Sequence, residues 1–260
     1  MTPSRNKNQK LISNFYTGTS GLLLPVKNKQ FYPDEFKDKS RLCFYSSLFN
    51  TIEVNSSFYK VPMASTVTKW ADDVAEDFKF TFKLSRDITH NKGLVFDTEA
   101  VGRFMDVIDR VGDKKACLLV QFPPSVRIAN IGQLDLLMRS LRGSDPDKKW
   151  KIVLEFRHPS LYHHDVYQML EEQYLGMVIH DKSPAATPMI DSKLPFVYLR
   201  FHGPGGSYRG SYEDDILSEY ATYIQEWLME GKTVYTYFNN TMGDALANLA
   251  TLKKAIKINT

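Results

Sequence analysis

Short apolar runs recur along the chain, and most of them end in polar or charged residues. The clearest are 51–55 (Thr-Ile-Glu-Val-Asn), 80–83, 118–121, 152–158, 178–181, 197–202 and 234–240. Between them the apolar positions change to helical spacing. Val101, Phe104, Met105, Ile108 and Val111 share one helical face, and Leu134, Leu137, Met138 and Leu141 share another. The pattern predicts strands at 15–17, 51–55, 78–84, 116–121, 151–156, 177–180, 196–201 and 233–238. Helices are expected near 42–49, 65–74, 99–111, 131–141, 165–174, 214–229 and 244–256. Residues 182–195 carry Pro184, Pro188 and Pro195 and show no helical period, so the sixth crossover helix is expected to be short or missing.

Strands alternating with helices through short connections predict a parallel sheet with right-handed crossovers. Eight such units predict an α/β fold, a single TIM (β/α)8 barrel, with an open doubly wound sheet as the rival. The 260 residues suit one barrel, which takes about 250. Nothing marks a second domain. Residues 1–10 are polar and basic and are read as a flexible arm, leaving 11–260 as the barrel domain. They lack the apolar stretch of a secretory signal, and no run is long enough for a membrane span, so a cytoplasmic protein is expected. Cys43 and Cys117 fit no metal-knuckle or redox spacing and are read as reduced thiols. Lys and Arg number 33 against 30 Asp and Glu, an excess too small to mark a nucleic-acid binder by itself.

Several short motifs resemble those of one family. They are Gly18-Thr-Ser-Gly21; the stretch 49–59 with Pro62 and Trp70; 80–83 with Thr89-His90; Gln121-Phe-Pro-Pro124; Glu155-Phe-Arg-His-Pro159; Arg200-Phe-His-Gly203; and Tyr237-Phe-Asn-Asn240 followed by Ala245. In this order they resemble the domain-of-unknown-function 72 family (DUF72, YecE-like), from about residue 15 to the end. The resemblance implies a TIM barrel and no particular activity. Leu22 stands where the family's opening reads Trp.

Residues at strand ends of such a barrel share one mouth. Alternation puts Glu53 on a face with Thr51 and Asn55, and Glu155 with Val153 and Arg157. If those faces point inward, Glu53 and Glu155 are candidate acid–base groups, or metal ligands together with Asp181. His202, on the face of Arg200, is the best proton shuttle. Lys83, Arg157, Arg200 and His158 would bind an anion. Asn55, Gln121, Tyr237, Asn239 and Asn240 would suit a hydroxyl-rich ligand. The alternative is structural: Glu155 neutralised by Arg157 or Arg200, in a network where three carboxylates and three cations balance one another. His163-His164-Asp165 is read as the opening of a helix, with Asp165 as cap or dipole partner. No P-loop, GxGxxG or GxSxG element is present, which disfavours ATP, NAD and serine-hydrolase chemistry.

These residues suggest an enzyme acting on a small anionic, phosphorylated or nucleotide- or sugar-like substrate, by acid–base or metal-assisted hydrolysis or isomerisation. No cofactor is indicated, beyond a possible divalent metal, as in a phosphodiesterase-like barrel. A non-catalytic binder of nucleic acid or of a phosphate-bearing ligand is the alternative.

Overall fold

Eight parallel strands form the centre of the chain, in the order β1-β8-β7-β6-β5-β4-β3-β2. The computed structural model describes residues 14–189 and 192–256; the arm expected over residues 1–10 lies outside them. The strands are β1 (Phe15–Thr19), β2 (Thr51–Val54), β3 (Lys79–Lys83), β4 (Lys115–Gln121), β5 (Lys151–Glu155), β6 (Gly176–His180), β7 (Phe196–Phe201) and β8 (Thr233–Phe238). Helices α1 (Arg41–Leu48), α2 (Ala64–Asp72), α3 (Thr98–Ile108), α4 (Ile131–Gly143) and α5 (His164–Glu172) follow the first five strands. Helices α6 (Asp214–Met229) and α7 (Ala245–Ala255) follow β7 and β8. Among the described residues no helix joins β6 to β7, as the three prolines predict. None of the helices is long and apolar enough to cross a membrane.

Local sequence explains the helices. The Asp97 carboxylate accepts the Glu99 amide at 2.9 Å and starts α3, whose Val101, Phe104, Met105 and Ile108 are buried. In α5 the cap is His163, whose Nδ1 accepts the Asp165 amide at 3.3 Å. Asp165 itself occupies the first turn, where its charge suits the helix dipole.

The outward side chains of the strands pack under these helices in two apolar clusters. Inside the barrel a third cluster joins Cys117, Leu119, Val153, Val178, Tyr198, Tyr235 and Tyr237. Alternation orders this interior in layers. Low down, Tyr16 stacks on Tyr235 at 5.1 Å. Above it, the Tyr237 hydroxyl lies 2.7 Å from the Thr51 hydroxyl and 2.8 Å from that of Thr81. Glu53, Lys83, Glu155 and Arg200 each follow an inward residue by two positions and form the next layer up.

The barrel closes through a seam with almost no ladder. Between β1 and β2 there is one bridge, Ser20 with Glu53, beside an amide bond from Gly21 to the Glu53 carbonyl at 2.7 Å. Side chains replace the missing backbone bonds. Asn50 accepts the Thr17 amide at 3.0 Å and donates to the Phe15 carbonyl at 2.8 Å. Tyr45 accepts the Thr19 amide at 2.8 Å and donates to the Thr51 carbonyl at 3.2 Å. A Cβ on Gly18 would stand 2.1 Å from the Thr51 carbonyl oxygen, so only glycine lets the two strands approach.

Gly18→Ala therefore forces the seam apart and is expected to destabilise by about 3 kcal/mol, the upper part of the range for overpacking. Gly102→Ala, inside α3 with open space around it, is expected to stabilise by about 0.5–1 kcal/mol. Urea denaturation of the two variants checks both; a Gly18→Ala protein as stable as the parent would show that the seam does not need glycine.

Candidate functional site

One guanidinium organises the top of the barrel. Arg200, rising from β7, donates through Nε to both oxygens of Glu53 at 3.1 and 3.0 Å, and through Nη2 to Oε1 at 2.8 Å. Its Nη1 reaches Glu155 Oε2 at 3.0 Å and His202 Nε2 at 2.8 Å. Glu53 receives two further bonds, from Ser20 Oγ at 2.6 Å and from the Tyr198 hydroxyl. Arg157 pairs with Glu155 Oε1 and reaches His202 Nε2 at 2.8 Å through Nη2. Glu53, Glu155 and His202 are 0% exposed. Five strands contribute: β1 through Ser20 just beyond it, β2, β5, and β7 with β6 behind it through Asp181.

Two guanidinium donors converge on His202 Nε2, so that nitrogen carries the lone pair and the ring proton lies on Nδ1. Nδ1 is 3.2 Å from the Arg200 carbonyl and 3.5 Å from Asp181 Oδ1. The His202 amide donates to Asp181 Oδ1 at 3.0 Å, and the Tyr212 hydroxyl donates to Asp181 Oδ2.

Burial pushes both carboxyls up, but the cations prevail. Arg200 holds Glu53 below the usual carboxylate range, and Arg200 with Arg157 holds Glu155 well below it. Burial alone would discourage the charge on Arg200; Glu155 and Glu53 reverse that and raise its pKa. The inner group of Glu53, Glu155, Arg157 and Arg200 is therefore fully ionised and sums to zero.

What remains free lies just above. Lys83 is 8% exposed, and among the described residues its Nζ has no hydrogen-bond acceptor; it stands 4.0 Å from the Phe58 ring centroid. Burial, then Arg200, lower its pKa to about 8, against the opposing pull of Glu155 and Glu53. Arg157 is 9% exposed, and its Nη1 has no partner. Asn55 Oδ1, beyond β2, is likewise buried and unpartnered. Asn239, beyond β8, and the half-buried Gln121, ending β4, follow inward residues and complete this rim. Gln121 commits its Nε2 to the Phe122 carbonyl at 2.9 Å. On the β6–β7 side a cleft of about 460 Å³ opens over Asp181, lined also by Pro204, Tyr212 and Tyr220.

The structure thus brings Glu53, Lys83, Glu155, Arg157, Arg200 and His202 together. It places other expected residues elsewhere. Tyr237 belongs to the threonine layer below, its hydroxyl enclosed by Thr51 and Thr81. Asn240 is buried and ties the loop after β7 to α7, donating to the Gly210 carbonyl at 3.0 Å and to Asn248 Oδ1 at 2.9 Å. His158 caps the turn 159–161 through its Nδ1, which accepts the Ser160 amide at 3.2 Å. Glu53, Glu155 and Asp181 do not converge as a ligand set: Arg200 lies between the two glutamates, and Asp181 is bound by Tyr212 and the His202 amide. Among the described residues no group of three His, Cys, Asp or Glu is placed to hold a metal ion. Ser20 and Tyr198 were not singled out from the sequence, although Tyr198 shares the inward face of Arg200, a signal that alternation offers.

A family model described as "Protein of unknown function DUF72" matches residues 16–260. The UPF0759 protein YunF of Bacillus subtilis is 26% identical over 251 residues, covering 84% of this chain and 86% of that protein. The UPF0759 protein YecE of Escherichia coli is 25% identical over 138 residues, 53% of this chain and 47% of that protein. Among solved structures, a DUF72 family protein from Enterococcus faecalis superposes with a TM-score of 0.75 at 20% identity, covering 93% of this chain and 95% of that one. One from Thermotoga maritima gives 0.68 at 22% identity, covering 92% and 98%. At these identities the likeness to the solved structures speaks for the fold.

Removing the shared cation exposes the logic of the cluster. Arg200→Met leaves two buried carboxylates without their main partner and is expected to cost about 3–5 kcal/mol. In the parent both carboxyls have lowered pKa values, so the stability they lend is complete above their unfolded value of 4.5 and disappears as pH falls through the folded ones. In the variant burial is opposed by Arg157 beside Glu155 and by the Ser20 and Tyr198 hydroxyls on Glu53 but no longer by Arg200, so the folded values rise and the two carboxylates lose stability as pH rises instead. The gap between parent and variant should therefore be narrower at pH 5 than at pH 7 in urea melts. An equal gap at both values would mean that Arg200 does not carry the two charges.

Proposed function

Since the chain belongs to the DUF72 family, whose description brings no reaction with it, we propose a function from the barrel mouth alone: acid–base catalysis on a small, anionic, hydroxyl-bearing substrate. The observation that carries this reading is the unpartnered Nη1 of Arg157, a guanidinium donor nine-tenths buried at the carboxyl end of the strands. A buried donor without an acceptor is costly, and a ligand oxyanion would satisfy it.

Around that anchor the roles divide by what each atom already does. Glu53 and Arg200 are saturated by one another and by Ser20 and Tyr198, so they form the rigid base of the site. His202 has no lone pair left on Nε2, and the proton-shuttle role expected for it passes to Lys83, whose lowered pKa of about 8 is suited to exchanging protons near neutrality. Asn55, Gln121 and Asn239 supply neutral groups for hydroxyls. A divalent cation at Glu53 and Glu155 would have to compete with Arg200, which already bridges them. Depth supports a small ligand over a nucleic acid. Both open cations are more than nine-tenths buried, whereas a phosphodiester backbone is gripped by exposed ones.

Binding of inorganic phosphate and of a panel of sugar phosphates, followed by calorimetry and thermal shift, tests the reading. The parent should bind members of the panel, and Arg157→Leu should weaken that binding about 10- to 100-fold, the loss of one or two charge-assisted bonds. Absence of binding by the whole panel, or unchanged affinity in Arg157→Leu, would overturn the anion site.

A further inference from the structure

Lys83 has an arrangement that a purely structural lysine has no use for. Its position at the carboxyl end of β3, two residues after Thr81, aims it into the barrel mouth. An ammonium carries three donors and ordinarily finds acceptors for them when buried. Here the nearby carboxylates are committed to other cations: Glu53 is saturated by Arg200, Ser20 and Tyr198, and Glu155 accepts from Arg200 through Oε2 and is ion-paired with Arg157 through Oε1. What Lys83 Nζ meets is the face of Phe58 at 4.0 Å. Its charged surroundings are Glu53 from β2, Glu155 and Arg157 from the end of β5, Arg200 from β7, and His90 from the turn after β3. His90 is itself lowered to about 4 by burial and then by Lys83. Two carboxylates and two guanidiniums cancel, so no net negative field keeps the proton on this amine, while burial against an aromatic ring favours its neutral form.

We propose that Lys83 is a covalent group: its amine forms an imine with the carbonyl carbon of an aldehyde or ketone whose anionic substituent is held by Arg157. This rests on the mouth being the anion site described above and names the substrate class of that site. In the step, the ammonium first gives one proton to solvent. The nitrogen lone pair then attacks the carbonyl carbon, and the carbonyl π pair moves to oxygen, which is protonated to give a carbinolamine. A second N–H proton and the hydroxyl leave as water, so that one water is lost overall and a C=N bond replaces C=O. The protonated imine draws electrons from the neighbouring carbon, where a C–H or C–C bond can then be broken, and water returns to release the product. No redox partner is needed. Lysines with this role owe their reactivity to desolvation and nearby cations, and Lys83 has both.

Reductive trapping tests it without knowledge of the natural substrate. The parent is incubated with sodium cyanoborohydride and either pyruvate, dihydroxyacetone phosphate or the neutral glycolaldehyde, and the modified lysines are located by peptide mass mapping. The expected result is an adduct at Lys83 that forms at least tenfold faster than at the exposed Lys60, with a rate that climbs as pH is raised through about 8. Lys83→Arg and Lys83→Met should both lose the fast adduct. Arg157→Leu should slow trapping of the two anionic probes about tenfold or more and leave glycolaldehyde unaffected. Adducts spread over surface lysines with no preference for Lys83 in the parent would overturn the imine. If phosphate binding still depended on Arg157 in that case, the anion site would stand alone; if neither trapping nor anion binding were seen, both would fall. Fast labelling of Lys83 that ignores Arg157 would keep the imine and remove the anchor.

Discussion

The bidentate grip of Arg200 on Glu53, with its other arm on Glu155, is the interaction on which the upper barrel depends. Three charged groups at 0–3% exposure can coexist only if each cancels another at hydrogen-bond distance. Glu53 is also the one residue of β2 that β1 reaches by a ladder bridge, and its carboxylate takes the Ser20 hydroxyl from across the same seam. The pair therefore closes the barrel where the backbone does not, and in doing so fixes the floor of the mouth. Site and fold share one set of bonds. Apolar residues of similar volume would commonly be as stable or more so. What the ionic version adds is fixed geometry for the groups above it.

That geometry decides which cations are open to a ligand. Each oxygen of Glu53 has more than one donor, and the two oxygens of Glu155 are divided between Arg200 and Arg157. Lys83 and one nitrogen of Arg157 are left over. They lie in a neutral surrounding, because the charges beneath them sum to zero. On the proposed reading, a neutral floor with two unclaimed donors above it would hold an oxyanion less tightly than an uncompensated cluster of cations would.

The fold was legible in the sequence because its signals are local. The strand runs at 196–201 and 233–238 and the helix at 214–229 fall where the periodicity puts them, and prolines 184, 188 and 195 announce a β6–β7 crossover with no helix among its described residues. Alternation likewise put Glu155 with Arg157 and Arg200 with His202 on shared faces, and the structure turns those faces, with that of Glu53, into the barrel. Depth was not legible. Tyr237 and Asn239 share one face of β8 and its extension, yet two residues separate a sealed hydroxyl layer from the rim. Asn240, one residue further on, turns into the loop and serves Gly210 and Asn248. Pairing was legible in part: the structural alternative set Glu155 against Arg157 or Arg200, and the structure pairs it with both. Equal numbers of acids and bases permit many arrangements, and only the geometry shows that Lys83 is the cation without a carboxylate.

The distribution of unsatisfied atoms separates a structural network from a ligand site. Native interiors leave few buried polar atoms unpaired, and each one calls for a physical reason. Within the ionic cluster and the hydroxyl layer beneath it, Glu53, Arg200 and the Tyr237 hydroxyl are engaged, while Arg157 Nη1 and Asn55 Oδ1 at the strand ends are buried without a partner and the Lys83 amine faces the Phe58 ring. Away from the cluster, the Thr17 and Thr236 hydroxyls of β1 and β8 are unpartnered too. The unmatched guanidinium nitrogen and amide oxygen at the strand ends stand above a paired ionic floor, where a ligand of the proposed kind would satisfy them.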